Sequence, residues 1–282
     1  MTDSLLQTTL ATFRRQMVVL RVARLIAIGC FVAVGAGLFT LQSPTDKRLS
    51  FIALLALLVG WVIVILRSIR LTREIQTGSV LMAIGKLDDA EVWLRRAMTR
   101  FSLSTRAKLV AGELLATLFL RREAYKDVIA ICRELLHYPL KRVHHVWVNT
   151  RLMLADSLLM LDRLAEAHDA IAGVYDVPLS LEARMKLLPI QLRYELAAGH
   201  AASSVSALPE KLKIAELMDS ESAALVHALL AEACRRQAMP TQHAFLAERA
   251  RLYHDLDKLT DRVPAIAPIA AAVEPKSSEP RP

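Results

Sequence analysis

One short segment returns three times in this chain, and its return limits the fold more than any other feature. It reads Gly85-Lys86-Leu87-Asp88-Asp89-Ala90-Glu91-Val92-Trp93-Leu94-Arg95-Arg96-Ala97, then Tyr125-Lys126-Asp127-Val128-Ile129-Ala130-Ile131-Cys132-Arg133-Glu134-Leu135, then Leu164-Ala165-Glu166-Ala167-His168-Asp169-Ala170-Ile171. With Ala90, Val128 and Ala167 as equivalent positions, the steps are 38 and 39 residues. A fixed period of this size marks stacked supersecondary units, each too small to bury its apolar face alone. Twelve residues ahead of the markers stand Gly78, Ala116 and Ala155, followed three residues later by Leu81, Phe119 and Leu158. Four and seven residues behind them come Leu94 and Ala97, Cys132 and Leu135, Ile171 and Val174. Both strings have helical spacing, so each unit reads as two helices, with small residues where they cross and larger ones between neighbours.

On these residues the chain resembles the tetratricopeptide repeat (TPR) family. Gly78, Leu81, Ala90, Leu94 and Ala97 match its pattern best; Leu154, Ala155, Leu158, Ala167 and Ile171 form a good further copy; Leu115, Ala116 and Phe119 precede a larger Val128. Two degenerate copies are suggested by Gly199 with Ser204 and Leu208, and by Leu230-Ala231 with His243 and Ala250. The period exceeds the family's usual ~34 residues by about one helical turn. The resemblance implies an all-α fold, a TPR-like α-solenoid of about five helix pairs over residues 74–258, and a role in holding a peptide or partner helix. The lysines and asparagines with which the family's chaperone-docking members grip a C-terminal carboxylate have no counterpart: Ile75, Ser79, Ala83, Glu113, Thr117, Arg121, Leu152, Asp156 and Met160 stand there. Met82, Thr117, Arg121, Asn149, Asp156 and Leu159 instead make a mixed surface suited to an amphipathic segment, with inter-repeat packing as the competing use of the same positions.

Ahead of the array lie two runs without a charged residue, 25–41 and 49–66, which reach roughly 25 and 27 Å as helices. They read as a two-helix transmembrane hairpin joined by the connector 42–48; a buried hairpin in a globular protein is the competing reading. Four Lys/Arg precede the first run, two lie in the connector and three follow the second, a bias that puts both termini and the repeats in the cytoplasm of a cell whose inner membrane the hairpin crosses. Gly29, Ala33 and Gly37, and Ala56 and Gly60, recur every four residues; such stripes let helices approach closely in lipid. They are expected to pack the hairpin on itself, with pairing of two chains into a homo-oligomer as the other use. In residues 1–24 a stripe of Leu6, Leu10, Phe13, Met17 and Leu20 predicts an amphipathic cytoplasmic segment, lying on anionic headgroups or against another helix, with a plain extension of the first apolar run as the competing reading. Residues 259–282, with five prolines in the last 19, read as a disordered tail.

The net charge of +8 raises nucleic acid as a partner, but its distribution argues against it. Residues 1–73 carry nine Lys/Arg against two Asp/Glu, so +7 belongs to the membrane segment and +1 to everything else. Residues 74–142 carry 12 against eight, or +4, which would attract anionic headgroups if those charges share one face. No catalytic, cofactor or metal constellation is expected. Gly85-Lys86 lacks the earlier glycine and following hydroxyl of a phosphate loop, Gly35-Ala36-Gly37 lies inside an apolar run rather than after a strand, and adjacent His144 and His145 point about 100° apart on a helix. Cys30, Cys132 and Cys234 are far apart and suit reduced thiols. The expected function is therefore a membrane-anchored scaffold for an unidentified protein partner, with an accessory or assembly subunit of a membrane enzyme or transporter as the alternative.

Overall fold

The structure is a computed structural model that describes residues 2–40, 44–102, 104–140 and 143–271. Every regular element among them is helical, and the chain forms two compact units, residues 1–153 and 154–282. Unit 1 opens with α1 (Thr2–Thr40) and α2 (Pro44–Ala83), each about 60 Å long at 1.5 Å per residue. Their runs of Leu, Ile, Val and Ala carry nothing that breaks a helix, and Pro44 starts α2 where its missing N–H costs nothing. Residues 1–24 are continuous with the first apolar run in α1, as the competing reading has it, and the second helix begins inside the expected connector; residues 41–43 lie outside the described ones.

The C-terminal third of α2 is also the first helix of the first repeat. Leu71, Ile75 and Met82 are buried there, and Gly78 faces the second helix, α3 (Leu87–Thr99). A Cβ added to Gly78 would lie 2.9 Å from the Leu94 side chain and 3.7 Å from the Ala90 carbonyl oxygen, so the recurring small residue is where the two helices cross. The next pair is α4 (Thr105–Arg121) and α5 (Tyr125–Leu136), closed in the same way by Gly112, whose added Cβ would meet Leu135 at 2.7 Å. Ala90, Leu94, Ala97, Ala116, Phe119, Val128, Cys132 and Leu135 are all fully or almost fully buried. Leu81 is half-buried.

Helix α6 (His144–Leu159) begins in unit 1 and ends in unit 2. Unit 2 continues with α7 (Leu164–Tyr175), α8 (Leu181–Ala197), α9 (Ala201–Val205), α10 (Leu208–Ala215), α11 (Ser220–Arg236) and α12 (Pro240–Tyr253). Alanine-rich α11 is its centre, packed by α8, α9 and α12 through Ala224, Leu229, Ala231 and Cys234. The tail expected from residue 259 is a further correction. Short helices α13 (Leu256–Thr260) and α14 (Ala267–Ala271), joined by a 3-10 turn at Pro264–Ile266, fold onto α11. Leu256, Leu259, Val263, Ile266 and Ile269 recur at three or four residue steps and are buried, while Pro264 and Pro268 fall at helix starts that need no N–H. Residues 272–282 lie outside the described ones.

Five helix pairs among the described residues turn on one device. Gly85, Glu123, Asp162, Gly199 and Ala238 all have φ between 52° and 79°, in the left-handed region, and follow one another at 38, 39, 37 and 39 residues. At each, the next N–H reaches back five residues: Lys86 to Leu81, Ala124 to Phe119, Arg163 to Leu158, His200 to Glu195 and Met239 to Cys234, at 2.7–3.0 Å. The left-handed residue itself donates three residues back, completing a Schellman cap that satisfies the last carbonyls of each first helix. This backbone period continues through the two copies that are degenerate in side chains. The fourth pair is truncated, because α9 lasts five residues before α10 intervenes.

Candidate interaction surfaces

The amphipathic stripe of α1 is a helix-pairing face. Leu6, Leu10, Phe13, Met17 and Leu20 are buried, and α1 contacts α3 and α5, the second helices of the first two repeats. Phe13 meets the edge of Tyr138 at 5.5 Å between ring centroids. Polar ties flank this seam. Arg14 donates to both oxygens of Glu134, at 2.5 and 3.2 Å, and the Tyr138 hydroxyl donates to the same carboxylate at 3.1 Å. Burial alone would push the Glu134 carboxyl up, but Arg14 and Tyr138 outweigh it and hold it below the usual range. The Gln16 amide donates to the Thr99 carbonyl, and its oxygen accepts from Lys108. Lys108 is completely buried, also donates to the Met98 carbonyl at 3.2 Å, and is pushed down to about 8 by that burial. Nearer the start of α1, Arg95 donates to Thr9 at 3.3 Å beside an open cavity of about 420 Å³ lined by Leu5, Thr8, Thr12, Val92 and neighbours.

The six residues expected to form a groove divide between the units. In unit 1, Met82 is buried and its carbonyl accepts from Arg121 at 2.9 Å. Thr117 donates to the Glu113 carbonyl at 3.0 Å and approaches the Met153 sulfur at 3.4 Å, while Asn149 donates to the Glu113 carboxylate at 2.7 Å. In unit 2, Leu159 is buried and Asp156 accepts from Arg193 at 2.5 Å. Arg121 to Met82, Asn149 to Glu113, Arg193 to Asp156 and Arg236 to the Leu196 carbonyl (2.8 Å) each join one first helix to the next. The polar heads of these positions are therefore engaged in stapling consecutive repeats. Pattern reading found the positions but not Glu113, Arg193 and Arg236, because their partners lie 36 to 40 residues away and follow no local motif.

Among the described side chains of residues 25–33 and 51–69, the large apolar ones of α1 and α2 are exposed. Leu25 is 70% exposed and Phe51 64%; Ile28, Val32, Leu55, Leu58 and Leu66 are also more than half exposed. So many exposed large apolar side chains on one stretch are uncommon on soluble monomers. Among the described residues, Ser4–Ala33 of α1 is long and apolar enough to cross a membrane, and its first turns carry the buried stripe. The second run falls on part of α2 where several side chains lie outside the described ones. The small-residue stripes do not pack the hairpin on itself as expected. Gly29, Ala33, Ala56 and Gly60 are exposed, and a Cβ added at Gly29 or Gly60 would meet nothing within 4 Å, so the contact between α1 and α2 is made elsewhere. Gly37 lies outside the described side chains.

No protein-family profile matches the chain, and no curated protein matches it. Among solved structures, it is similar to a crystal structure of nearly identical TPR-like repeats from Podosopora anserina, assigned to a kinesin light chain, at 16% identity. The similarity covers 68% of this chain and 97% of that one with a TM-score of 0.49. The repeat architecture described above stands on the five internal turns and their crossings.

The remaining chemistry-bearing residues are structural. Among the described residues no group of three or more His, Cys, Asp or Glu converges as a metal site. Cys132 and Cys234 are buried free thiols, both pushed up by burial, and Cys30 is exposed on the apolar stretch of α1. His144 stacks on Trp147 at 6.2 Å. Glu232 is buried and held below the usual carboxylate range: its burial is overcome by Arg235 and Arg236, which donate to it at 2.7–2.8 Å.

Proposed function

We propose that this protein is a membrane-anchored TPR-like scaffold, in which residues 25–41 and 49–66 cross the inner membrane and the repeats, with both termini, stand in the cytoplasm to recruit a protein partner. The carrying observation is the bare apolar surface of α1 and α2 joined without a linker to a packed repeat array. In water that surface is costly, since about 25 cal/mol per Å2 is at stake; in a bilayer it is matched. The continuity of α2 means that the first repeat inherits the direction of the membrane helix. The protein acts as a binding module and not as an enzyme on this reading, and it needs no cofactor and no nucleic acid.

What is already occupied favours one face for the partner. The second-helix side of the first two repeats is covered by α1, which favours the first-helix side, where exposed Arg121 and half-buried Thr117 and Asn149 border the partner surface while holding consecutive repeats together. Crosslinking in intact membranes followed by purification of the full chain tests this. A partner should be captured by the wild type and lost from a Thr117→Arg, Asn149→Arg variant that still fractionates with membranes. Equal capture by both would reject the repeat face as the contact. The open faces of Gly29 and Gly60 favour a second reading, an accessory subunit whose hairpin makes the specific contact. Replacing the hairpin by an unrelated one abolishes capture in that case and preserves it in the first.

A further inference from the structure

One end of unit 1 gathers exposed arginines. Side-chain ties align the end from which α1 and α2 depart toward their apolar stretches: Arg100 pairs with Glu74, Gln16 with Thr99 and Lys108, Arg14 with Glu134. The loop after α3, the start of α4 and the end of α5 therefore lie beside residues 13–16 of α1 and residue 74 of α2. Both carboxylates at this end, Glu74 and Glu134, are buried, and each is neutralised by an arginine. Arg21, Arg70, Arg73 and Arg106 are exposed here and have no acidic partner among the described ion pairs. Arg21 and Arg70 lie roughly 6–8 Å further toward the apolar stretch, at 1.5 Å per residue from Gln16 and Glu74. The opposite ends of α3 and α5, one helix length away, are mixed: Asp88, Asp89, Glu91, Glu123 and Asp127 stand there with Lys86, Arg121, Arg122 and Lys126, and Arg122 pairs with Asp88 and Glu91. Phe101, 37% exposed, sits in the loop at the basic end.

We infer that this end of unit 1 is a landing surface for anionic phospholipid headgroups, and that it sets the repeats against the membrane face. The inference rests on the membrane-anchored reading above. The apolar surface begins at Val18, Val22 and Ile69, among the same arginines, so their guanidinium groups fall at headgroup depth with their stems along the apolar helices. With its two acids neutralised and four arginines exposed, this end attracts an anionic layer more strongly than the mixed far end. Phe101 suits the boundary between headgroup and acyl chain, where an aromatic ring is favoured. Attraction of this type weakens with salt over a distance of about 8–10 Å.

The full chain, reconstituted in bilayers of phosphatidylcholine with a minority of phosphatidylglycerol and then extracted in mild detergent, reports the effect through its retained lipid. The wild type should hold phosphatidylglycerol enriched several-fold over the bilayer ratio, each arginine supplying up to about fivefold. Arg21→Gln, Arg70→Gln, Arg73→Gln and Arg106→Gln together should return the ratio to that of the bilayer; Lys86→Gln with Lys126→Gln, at the far end, should leave it enriched. Enrichment absent from the wild type, or lost equally in the far-end control, overturns the proposal. So does co-purification of nucleic acid or an acidic protein on the same arginines in place of lipid. An alkaline wash of the same bilayers separates the two failures: a wild-type chain that stays inserted but retains lipid at the bulk ratio fails only the headgroup surface, and one that washes off fails the anchor reading and the surface with it.

Discussion

At Glu123, Asp162 and Ala238 the backbone adopts a left-handed conformation that costs a residue with a Cβ about 1–2 kcal/mol, whereas Gly85 and Gly199 occupy it freely. The capping bonds that each of these residues closes make the conformation worth that cost. Two opposite shifts follow for one device. Ala238→Gly should raise the melting temperature of the full chain, by about 0.5–1 kcal/mol in stability, and Gly85→Ala should lower it by about 1 kcal/mol. Thermal denaturation followed by circular dichroism checks both, and a matching sign in the two variants would sink the account. Lys108 gives a second residue-scale expectation. Its ammonium is buried and pushed down from 10.5 to about 8, so the unfolded chain binds its proton more tightly than the folded one. The stabilising contribution of its neutral form is complete above about pH 10.5 and lost as pH falls through about 8. Melting of the wild type should therefore gain on that of Lys108→Met as pH rises from 8 to 10; parallel profiles would exclude the effect.

Among the elements, α1 does two things along one axis. Its first turns belong to the repeats and its later turns present a bare apolar surface, with no break between them. The seam to α3 and α5 depends on Phe13, fully buried and edge-on to Tyr138. Phe13→Ala should cost about 3–5 kcal/mol through lost transfer energy and a residual cavity. Hydrogen exchange would read this as faster exchange of the first turns of α1 and of the faces of α3 and α5 that it covers. Unchanged exchange there would mean that α1 holds on through its polar ties alone. Gly78 and Gly112 show how two elements of a pair choose their distance, since a Cβ on either would meet a leucine at under 3 Å.

At the scale of the whole molecule, the charge distribution and the repeat period were both written in the chain order, and each was legible to a different depth. The period was readable because helix crossings demand small residues at fixed intervals: Gly78, Ala90, Ala116, Ala155 and Ala167 are buried where that rule puts them. The last copies were harder to read, because their regularity lies in the backbone turns at Gly199 and Ala238 rather than in side-chain type. Residues 259–271 were misjudged because five prolines near the C-terminus hid a buried stripe from Leu256 to Ile269 that finds its complement on α11, a partner over twenty residues upstream. The candidate groove was half legible: its positions lie between repeats, but Arg121, Asn149 and Asp156 prove to be tied across them.

Local pattern alone determined that the chain is helical, that its helices come in pairs of about 38 residues, and where its charge-free runs lie, because spacing, charge and hydropathy act between neighbours in sequence. Only the tertiary structure decided what covers what. The stripe of α1 had two outlets, a lipid surface or another helix, and the choice fell to Tyr138, Glu134, Thr99 and Lys108, more than eighty residues away. Gly29 and Gly60 of the apolar runs likewise face open space. An amphipathic face specifies that it must be covered, and the identity of the cover is set by long-range complementarity that no local period contains.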